Sequence, residues 1–221
     1  MSKSKGNVVD PNDVVDVYGA DVLRSYVLFM GDYEQAAPWN ESSMKGCKRF
    51  LDRVWELHTK LTDGDTYSDA LTSSMHKTIK KVTNDIESMK FNTAIAALMT
   101  LVNKIYEVGT INKAEYKTLL TLLNPFAPHM TEELHKEIFG TILSEGSWVE
   151  YDEALCIDST VEIVVQLNGR VKAKMMVDAN INREDMEKAA LENDEVKALI
   201  GDQTIVKVIA VPGKLVNIVV K

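Results

Sequence analysis

The chain is poor in cysteine and has no long apolar run. Cys47 and Cys156 stand far apart, with no CxxC partner for either. That argues against a zinc site, and two lone thiols suit a reducing compartment. No apolar stretch reaches the length of a membrane span. The opening MSKSKGNVVDP has no apolar core of the kind a secretory signal carries. These absences place the protein in the cytoplasm, away from any membrane. Basic residues are also short: 25 Lys and Arg against 33 Asp and Glu give a net charge of −8. Any contact with nucleic acid must therefore come from local basic patches on an acidic body. Internal repeats and low-complexity stretches are missing too.

What is present is ordinary for a globular protein: 221 residues, 45% hydrophobic and 26% charged. That length suits one large domain or two modest ones, each able to bury a core. Three stretches read differently. Residues 1–40 are a polar loop followed by short helices. Asp10 can cap the first, Pro11 suits its first position and Asp13 favours its positive end. Ala20 to Met30 reads as a buried helix that Gly31 can stop.

Residues 41–150 read as an all-helical bundle. Phe50, Val54, Leu57 and Leu61 recur on one helical face, and Thr62-Asp63-Gly64-Asp65 breaks that helix. A second helix runs from about Ala70 to Met89, and Asn92 is placed to cap a third. A fourth covers about Lys113 to Leu123, stopped by Asn124-Pro125. A fifth covers about Pro128 to Phe139, ended by Gly140. Trp55 and Trp148 read as core anchors, the methionines Met75, Met89, Met99, Met175 and Met176 as packing residues, and Glu132 and Glu133 as charges favouring a helix N-terminus.

From 151 to 221 the period falls from near 3.6 to 2. Val161–Leu167 and Val171–Val177 flank Asn168-Gly169, the strongest short hairpin signal. Asn182 caps a helix, and Ile205–Val211 and Leu215–Val220 are two more strands. The fold class is therefore α+β multidomain: a helical bundle followed by a small β-β-α-β-β domain.

Two lysines alternate with two hydroxyls in Ser2-Lys3-Ser4-Lys5, and Gly6 frees the backbone behind them. Such a loop can place ammonium groups and hydroxyl donors on a polyphosphate, although a solvated tail has the same composition. Lys45, Lys48, Arg49 and Arg53 fall on one helix, and Lys77, Lys80 and Lys81 form a second cluster. Solvated helix faces look alike in sequence. Arg170, Lys172 and Lys174 alternate along a strand, which would put all three on one face and Val171, Ala173 and Met175 on the core face. Three aligned cations suit a polyanion, and they also suit an edge strand that resists aggregation. His129 and His135 are six apart, with no set of partners to complete a metal site.

The longer strings narrow these choices. MSKSKGNVVDP, followed by Tyr18-Gly19-Ala20-Asp21 and Arg24, resembles the Lys-Met-Ser-Lys-Ser signature of class I aminoacyl-tRNA synthetases. Arg49-Phe50-Leu51, Arg53-Val54-Trp55, Phe91-Asn92-Thr93-Ala94 and Asn124-Pro125-Phe126-Ala127-Pro128-His129 resemble the leucyl-tRNA synthetase family. So do Val165-Gln166-Leu167-Asn168-Gly169-Arg170 and Val211-Pro212-Gly213-Lys214-Leu215-Val216-Asn217. The resemblance covers essentially the whole chain.

It implies an enzyme that joins leucine to ATP and passes the leucyl group to tRNA(Leu). Lys3 would contact the ATP phosphates and stabilise the adenylation transition state, with Ser2 and Ser4 shaping the loop. Lys5 lies outside the signature proper and would matter less. Magnesium would accompany the ATP, and no further metal is expected. Residues 41–150 would be the anticodon-binding-type bundle and 151–221 a small tRNA-binding domain. Arg170, Lys172, Lys174, Lys45, Lys48, Arg49 and Arg53 would touch the tRNA backbone.

The departures matter as well. The signature's first lysine, the His-Ile-Gly-His-type motif, the nucleotide-binding Rossmann unit and an editing domain are all missing. The chain reads as a C-terminal fragment starting inside the signature, catalytically inactive alone and with no ATP or magnesium expected on it. Apolar residues of 1–40, such as Leu23, Val27 and Phe29, would be left bare and favour self-association. His135 stands where the family usually has Trp, and Val149 where it usually has Pro. The alternatives are a free-standing tRNA-binding module, or the same region of a valyl- or isoleucyl-type enzyme. The absence of a terminal heptad run weighs against the valyl type.

Overall fold

In the computed structural model the described residues are Gly6, 8–31, 38–158, 160–201 and 203–221. The loop residues Ser2, Lys3, Ser4 and Lys5 lie outside them. The chain is mixed helix and strand and divides into two compact units, 1–156 and 157–221.

The first unit starts with α1 (Pro11–Tyr18) and α2 (Ala20–Phe29). Asp10 accepts the Asn12 N–H at 2.9 Å and Pro11 opens α1, as the local sequence requires. Then come α3 (Glu41–Glu56), α4 (Thr72–Glu87), α5 (Phe91–Val108), α6 (Lys113–Leu123) and α7 (Pro128–Phe139). They share one core, centred on Val54, Leu57, Met75, Ile95, Leu98 and Tyr116. Val22 and Tyr26 of α2 belong to the same core, so the second helix packs into the bundle.

Several local expectations are corrected. Leu61 leaves the helix and, with Thr62, forms β1, which pairs in parallel with β2 (Ile111–Asn112). The stretch is therefore not purely helical. Gly64 packs tightly beside that pairing: a Cβ there would stand 3.0 Å from the Asn112 side chain, which would have to give way by a few tenths of an ångström. Asn92 does not cap α5; Lys90 holds that position without a side-chain bond. The Thr93 hydroxyl instead donates to Asp85 at 2.7 Å and ties the start of α5 to the end of α4. Met89 turns left-handed with φ 57° and is exposed, so it does not pack. Trp55 and Trp148 are about two-fifths exposed, at 40% and 39%, and are not core anchors. Trp148 donates its indole N–H to Thr83 at 2.9 Å.

Glu132 does not serve the start of its own helix. Its carboxylate accepts the N–H groups of Leu143 and Ser144 at 2.7 and 2.8 Å and so caps the single 3₁₀ turn Leu143–Glu145. Partial burial works against its charge. The bonds from Ser144 and Leu143 prevail and hold its pKa below the ordinary 4.5. A depressed folded pKa contributes stability above the unfolded value, lost as pH falls through the folded one. Glu132→Gln should therefore speed amide exchange at Leu143 and Ser144 near neutral pH. The gap from the parent chain should close as pH drops below 4.5. A pH-independent gap would show that the charge plays no part.

The second unit holds β3 (Thr160–Leu167), β4 (Arg170–Asp178), α8 (Arg183–Glu192), α9 (Asp194–Ile200), β5 (Ile205–Val211) and β6 (Leu215–Val220). Two helices, not one, separate the strand pairs. Asn182 and Asn193 each cap a helix, and the extended backbone of Asn193 makes the break between them. The sheet order is β4-β3-β6-β5, with β3 and β6 parallel and both outer pairs antiparallel. Ile163, Val165, Met186, Ala190, Val216 and Ile218 form its core. Met176 is 60% exposed and lies outside it.

Candidate nucleic-acid interface

Of the signature loop the structure describes Gly6, whose φ of 63° is a left-handed value that glycine adopts without strain. Downstream, α2 grips the turn between α6 and α7. Asp21 accepts the N–H groups of His129 and Met130 at 3.3 and 2.7 Å, and its Oδ1 lies 2.8 Å from His129 Nδ1. The N-cap position of α7, Ala127, supplies no side-chain acceptor of its own. Asp21 therefore caps α7 from a different helix, its charge facing the positive helix end. Arg24 Nε donates to the Pro125 carbonyl at 2.8 Å, and the Ser25 hydroxyl to the Phe126 carbonyl at 3.1 Å. The strings Gly19-Ala20-Asp21 and Asn124-Pro125-Phe126 each carried a signal in sequence. That they hold each other did not show, because the partners are about a hundred residues apart.

On α3 the buried face is Met44, Cys47, Phe50, Leu51 and Val54. Burial pushes the Cys47 thiol up to about 11, which makes it an inert packing group. Lys45, Lys48 and Arg49 are exposed on the same helix. Lys48 is held by Asp52 at 2.7 Å, so its charge is largely answered within the helix. Lys45 and Arg49 form no ion pair among the described residues.

Arg53 is half-buried and fixed. Its Nη1 donates to Asn103 Oδ1 at 2.7 Å, and its guanidinium stands 4.4 Å from the Tyr106 ring centre. Lys60 Nζ approaches that ring to 4.2 Å. The Tyr106 hydroxyl reaches the Arg53 carbonyl at 3.0 Å and Glu56 at 3.1 Å. Burial, then the bond to Glu56, raises its pKa. Two cations and an aromatic ring thus form one rigid group, with exposed Trp55 following Arg53 on the same helix. Sequence reasoning singled out neither Tyr106 nor Lys60 as a binding residue. The second lysine cluster is largely spent: Lys80 pairs with Glu153, and Lys81 pairs with Asp85 at 2.6 Å.

In the second unit Arg170, Lys172 and Lys174 are all exposed on β4, an edge strand. Their expected alternation fails. The register slips at a bulge: Val165 opposes Ala173, the next residue Gln166 opposes Val171, and Lys172 is left over. Directly opposed residues share a face. Lys174, opposite Val164, and Arg170, opposite Leu167, therefore lie on different faces of the ladder. Val171, expected in the core, is 59% exposed. A bulge leaves no mark in a two-residue period, which is why the sequence reads through it. Lys174 is bonded to Glu162 at 2.9 Å, whereas Arg170 and Lys172 form no ion pair among the described residues.

No group of three or more His, Cys, Asp or Glu among the described residues is arranged to hold a metal ion. No described helix is long and apolar enough to cross a membrane.

Comparison with known proteins finds relatives over the whole chain. The family model for the anticodon-binding domain of tRNA ligases matches residues 69–188, more than half of the chain. The model for class I tRNA synthetases of the I, L, M and V group matches residues 1–40. A leucine–tRNA ligase from Alkaliphilus oremlandii (strain OhILAs) is 48% identical over 227 aligned residues, which take in all of this chain and 28% of the relative. A crystal structure of the ternary complex of Agrobacterium radiobacter K84 agnB2 LeuRS with tRNA and LeuAMS aligns over the whole chain. It does so at 31% identity and a TM-score of 0.68, with 31% of that protein covered. The chain thus spans under a third of the length of these relatives.

Proposed function

The chain belongs to the anticodon-binding-domain family of class I tRNA ligases, on the leucine branch, and from that premise we propose that it works as part of an enzyme that activates leucine with ATP and transfers it to tRNA(Leu). The observation that carries this reading is the 48% identity to a leucine–tRNA ligase across the entire chain, from signature segment to small domain. Residues 41–150 are read as the anticodon-binding-type bundle and residues 151–221 as a small α+β domain that grips tRNA. The site of action is the cytoplasm.

Each part of the chain has a physical task in that reaction. Attack of the leucine carboxylate on the ATP α-phosphate piles negative charge onto the phosphates. A cation held against them lowers that barrier more than it aids ground-state binding. Lys3 is the residue assigned to it, with Ser2 and Ser4 as hydroxyl donors on the same loop. Magnesium would arrive with ATP and neutralise phosphate charge; no residue of this chain is assigned to it. The grip of Asp21, Arg24 and Ser25 holds α2, which follows that loop in the sequence, against the turn before α7.

For tRNA, exposed unpaired cations are the useful ones, since a cation already held by a carboxylate gains less from a phosphate. Among the described residues, Lys45, Arg49, Arg170 and Lys172 meet that condition. Arg53 adds a preorganised guanidinium, while Lys48 and Lys174 must exchange a carboxylate for a phosphate.

A salt titration of binding to leucine tRNA, beside a non-cognate tRNA, tests the reading. The affinity should fall steeply with salt. Each lost phosphate contact should flatten the slope by about 0.7–0.9. The combined Arg170→Glu, Lys172→Glu and Lys174→Glu variant should therefore show a slope shallower by about 2–3. Equal binding by parent and variant would reduce β4 to a solvated edge and end its role in the grip.

A further inference from the structure

Residues 148–156 end the first unit and lead to the second, which begins at 157. Among the described residues, no main-chain bond ties this connector to the helices. Its one main-chain bond is internal, from the Leu155 N–H to the Asp152 carbonyl at 3.1 Å, where the chain makes a 3₁₀ turn at Glu153–Cys156. Its hydrogen bonds to the bundle go to side chains of a single helix, α4. Thr83 accepts the Trp148 indole N–H at 2.9 Å, Lys80 pairs with Glu153, and His76 Nδ1 accepts the Asp152 N–H at 3.0 Å. Lys80 Nζ also stands 5.8 Å from the Tyr151 ring centre. Positions 76, 80 and 83 are four and three apart, which makes them one stripe along α4. The connector lies on that stripe as a strap.

One of these fastenings changes in mild acid. A main-chain N–H can only donate, so the Asp152 bond requires a bare Nδ1 on a neutral His76 ring, with the proton on Nε2. A second proton would set two donors against each other and break the bond. The indole–hydroxyl bond has no titrating group. The Lys80–Glu153 pair keeps both charges down to the ordinary carboxylate range, about pH 4.3. Its side chains are exposed, so it adds little by itself. Asp65 and Tyr67 precede α4 and Lys117 lies on α6; they share a surface hollow with His76, and the Tyr67 and His76 ring centres are 5.3 Å apart. Asp152 turns its carboxylate to the Ala154 N–H at 2.9 Å. Among the described residues, none of these groups forms an ion pair with the imidazole. We propose that residues 148–156 are a pH-gated strap, docked on α4 while His76 is neutral and released when the ring takes up a proton. Release adds up to about 30 Å of extended chain to the tether of the second unit. The strap thus sets how far that unit can reach, whatever it binds, and the inference does not rest on the ligase reading.

Hydrogen exchange on the full chain, followed by proton–nitrogen correlation NMR from about pH 7.5 to about pH 5, spans the titration of an imidazole. Protection factors remove the intrinsic pH dependence of exchange. The Asp152 N–H and the Trp148 indole N–H should lose protection together, by up to about tenfold per pH unit once the ring titrates. Amides within α5, such as that of Leu98, should keep theirs. His76→Asn sets a non-titrating amide oxygen near the place of Nδ1, and its strap should stay protected across the range. His76→Phe keeps a ring beside Tyr67 but no acceptor, and its strap should exchange freely at every pH. Protection independent of pH in the parent chain, or an equal pH slope in His76→Asn, would overturn the proposal. So would loss at Asp152 with the Trp148 indole still protected, because the bond would then break without freeing the strap.

Discussion

In an intact ligase carrying this chain, Lys3→Ala should slow ATP–pyrophosphate exchange by about 10²–10³-fold, with a much smaller change in the KM for ATP. The asymmetry is the informative part. A cation aimed at charge that develops during adenylation contributes chiefly at the transition state, so its loss appears in kcat. Lys5→Ala, one step outside the signature, should cost far less. Lys3→Arg should recover only part of the rate, because a planar guanidinium cannot occupy the place of a compact ammonium. A loss seen mainly in KM would make Lys3 a general phosphate contact. A variant of undiminished rate would show that another residue carries the charge.

The second large effect concerns stability. Glu115 is a carboxylate only 1% exposed, with no ion-pair partner among the described residues. Its two oxygens take three donors: the Asn112 N–H at 2.8 Å, the Ser68 N–H at 2.8 Å and the Ser68 hydroxyl at 2.6 Å. In return the Glu115 N–H donates to Asn112 Oδ1 at 3.0 Å, closing a capping box at the start of α6. The positive end of the helix and three donors thus stand in for a cation. Glu115→Ala leaves the buried Asn112 N–H and the two half-buried Ser68 donors unanswered, and should destabilise the first unit by about 3–5 kcal/mol. Glu115→Gln keeps one acceptor and should cost about half as much. Denaturant midpoints of the three proteins measure this directly. A loss below about 1 kcal/mol for the alanine variant would mean that water replaces the carboxylate.

Local chemistry was readable from sequence where both partners lie within a few residues. The hairpin at Asn168-Gly169 forms with φ of 48° and 78°, the two positive values that its turn demands. The caps at Asp10 and Asn182 bond to groups two and three positions on. What escaped were effects that depend on distant chain or on one extra residue. The slip in β4 hides inside a regular alternation. Trp55 looked like a core residue because size and apolarity do not tell which side of a helix meets the core. Glu132 serves a turn eleven residues further on, a spacing that no helical rule flags. Of the candidate site, the cations were legible as residues. Which of them are already engaged, by Asp52, Glu162 or the Tyr106 ring, became visible only in three dimensions.

The grip of α2 on the turn before α7 has a further consequence. Every bond that Arg24 and Ser25 make there ends on a main-chain carbonyl, and two of the three from Asp21 end on main-chain N–H groups. Main-chain groups persist whatever side chains the turn bears. The two sides of this joint therefore differ in how freely they can drift. Side chains on the turn can change without loosening it, provided the turn keeps its path. Asp21, Arg24 and Ser25 have no such latitude, because each reaches its target with one particular functional group. Mutational tolerance across this contact should be lopsided, with the constraint concentrated in a single short helix near the signature loop.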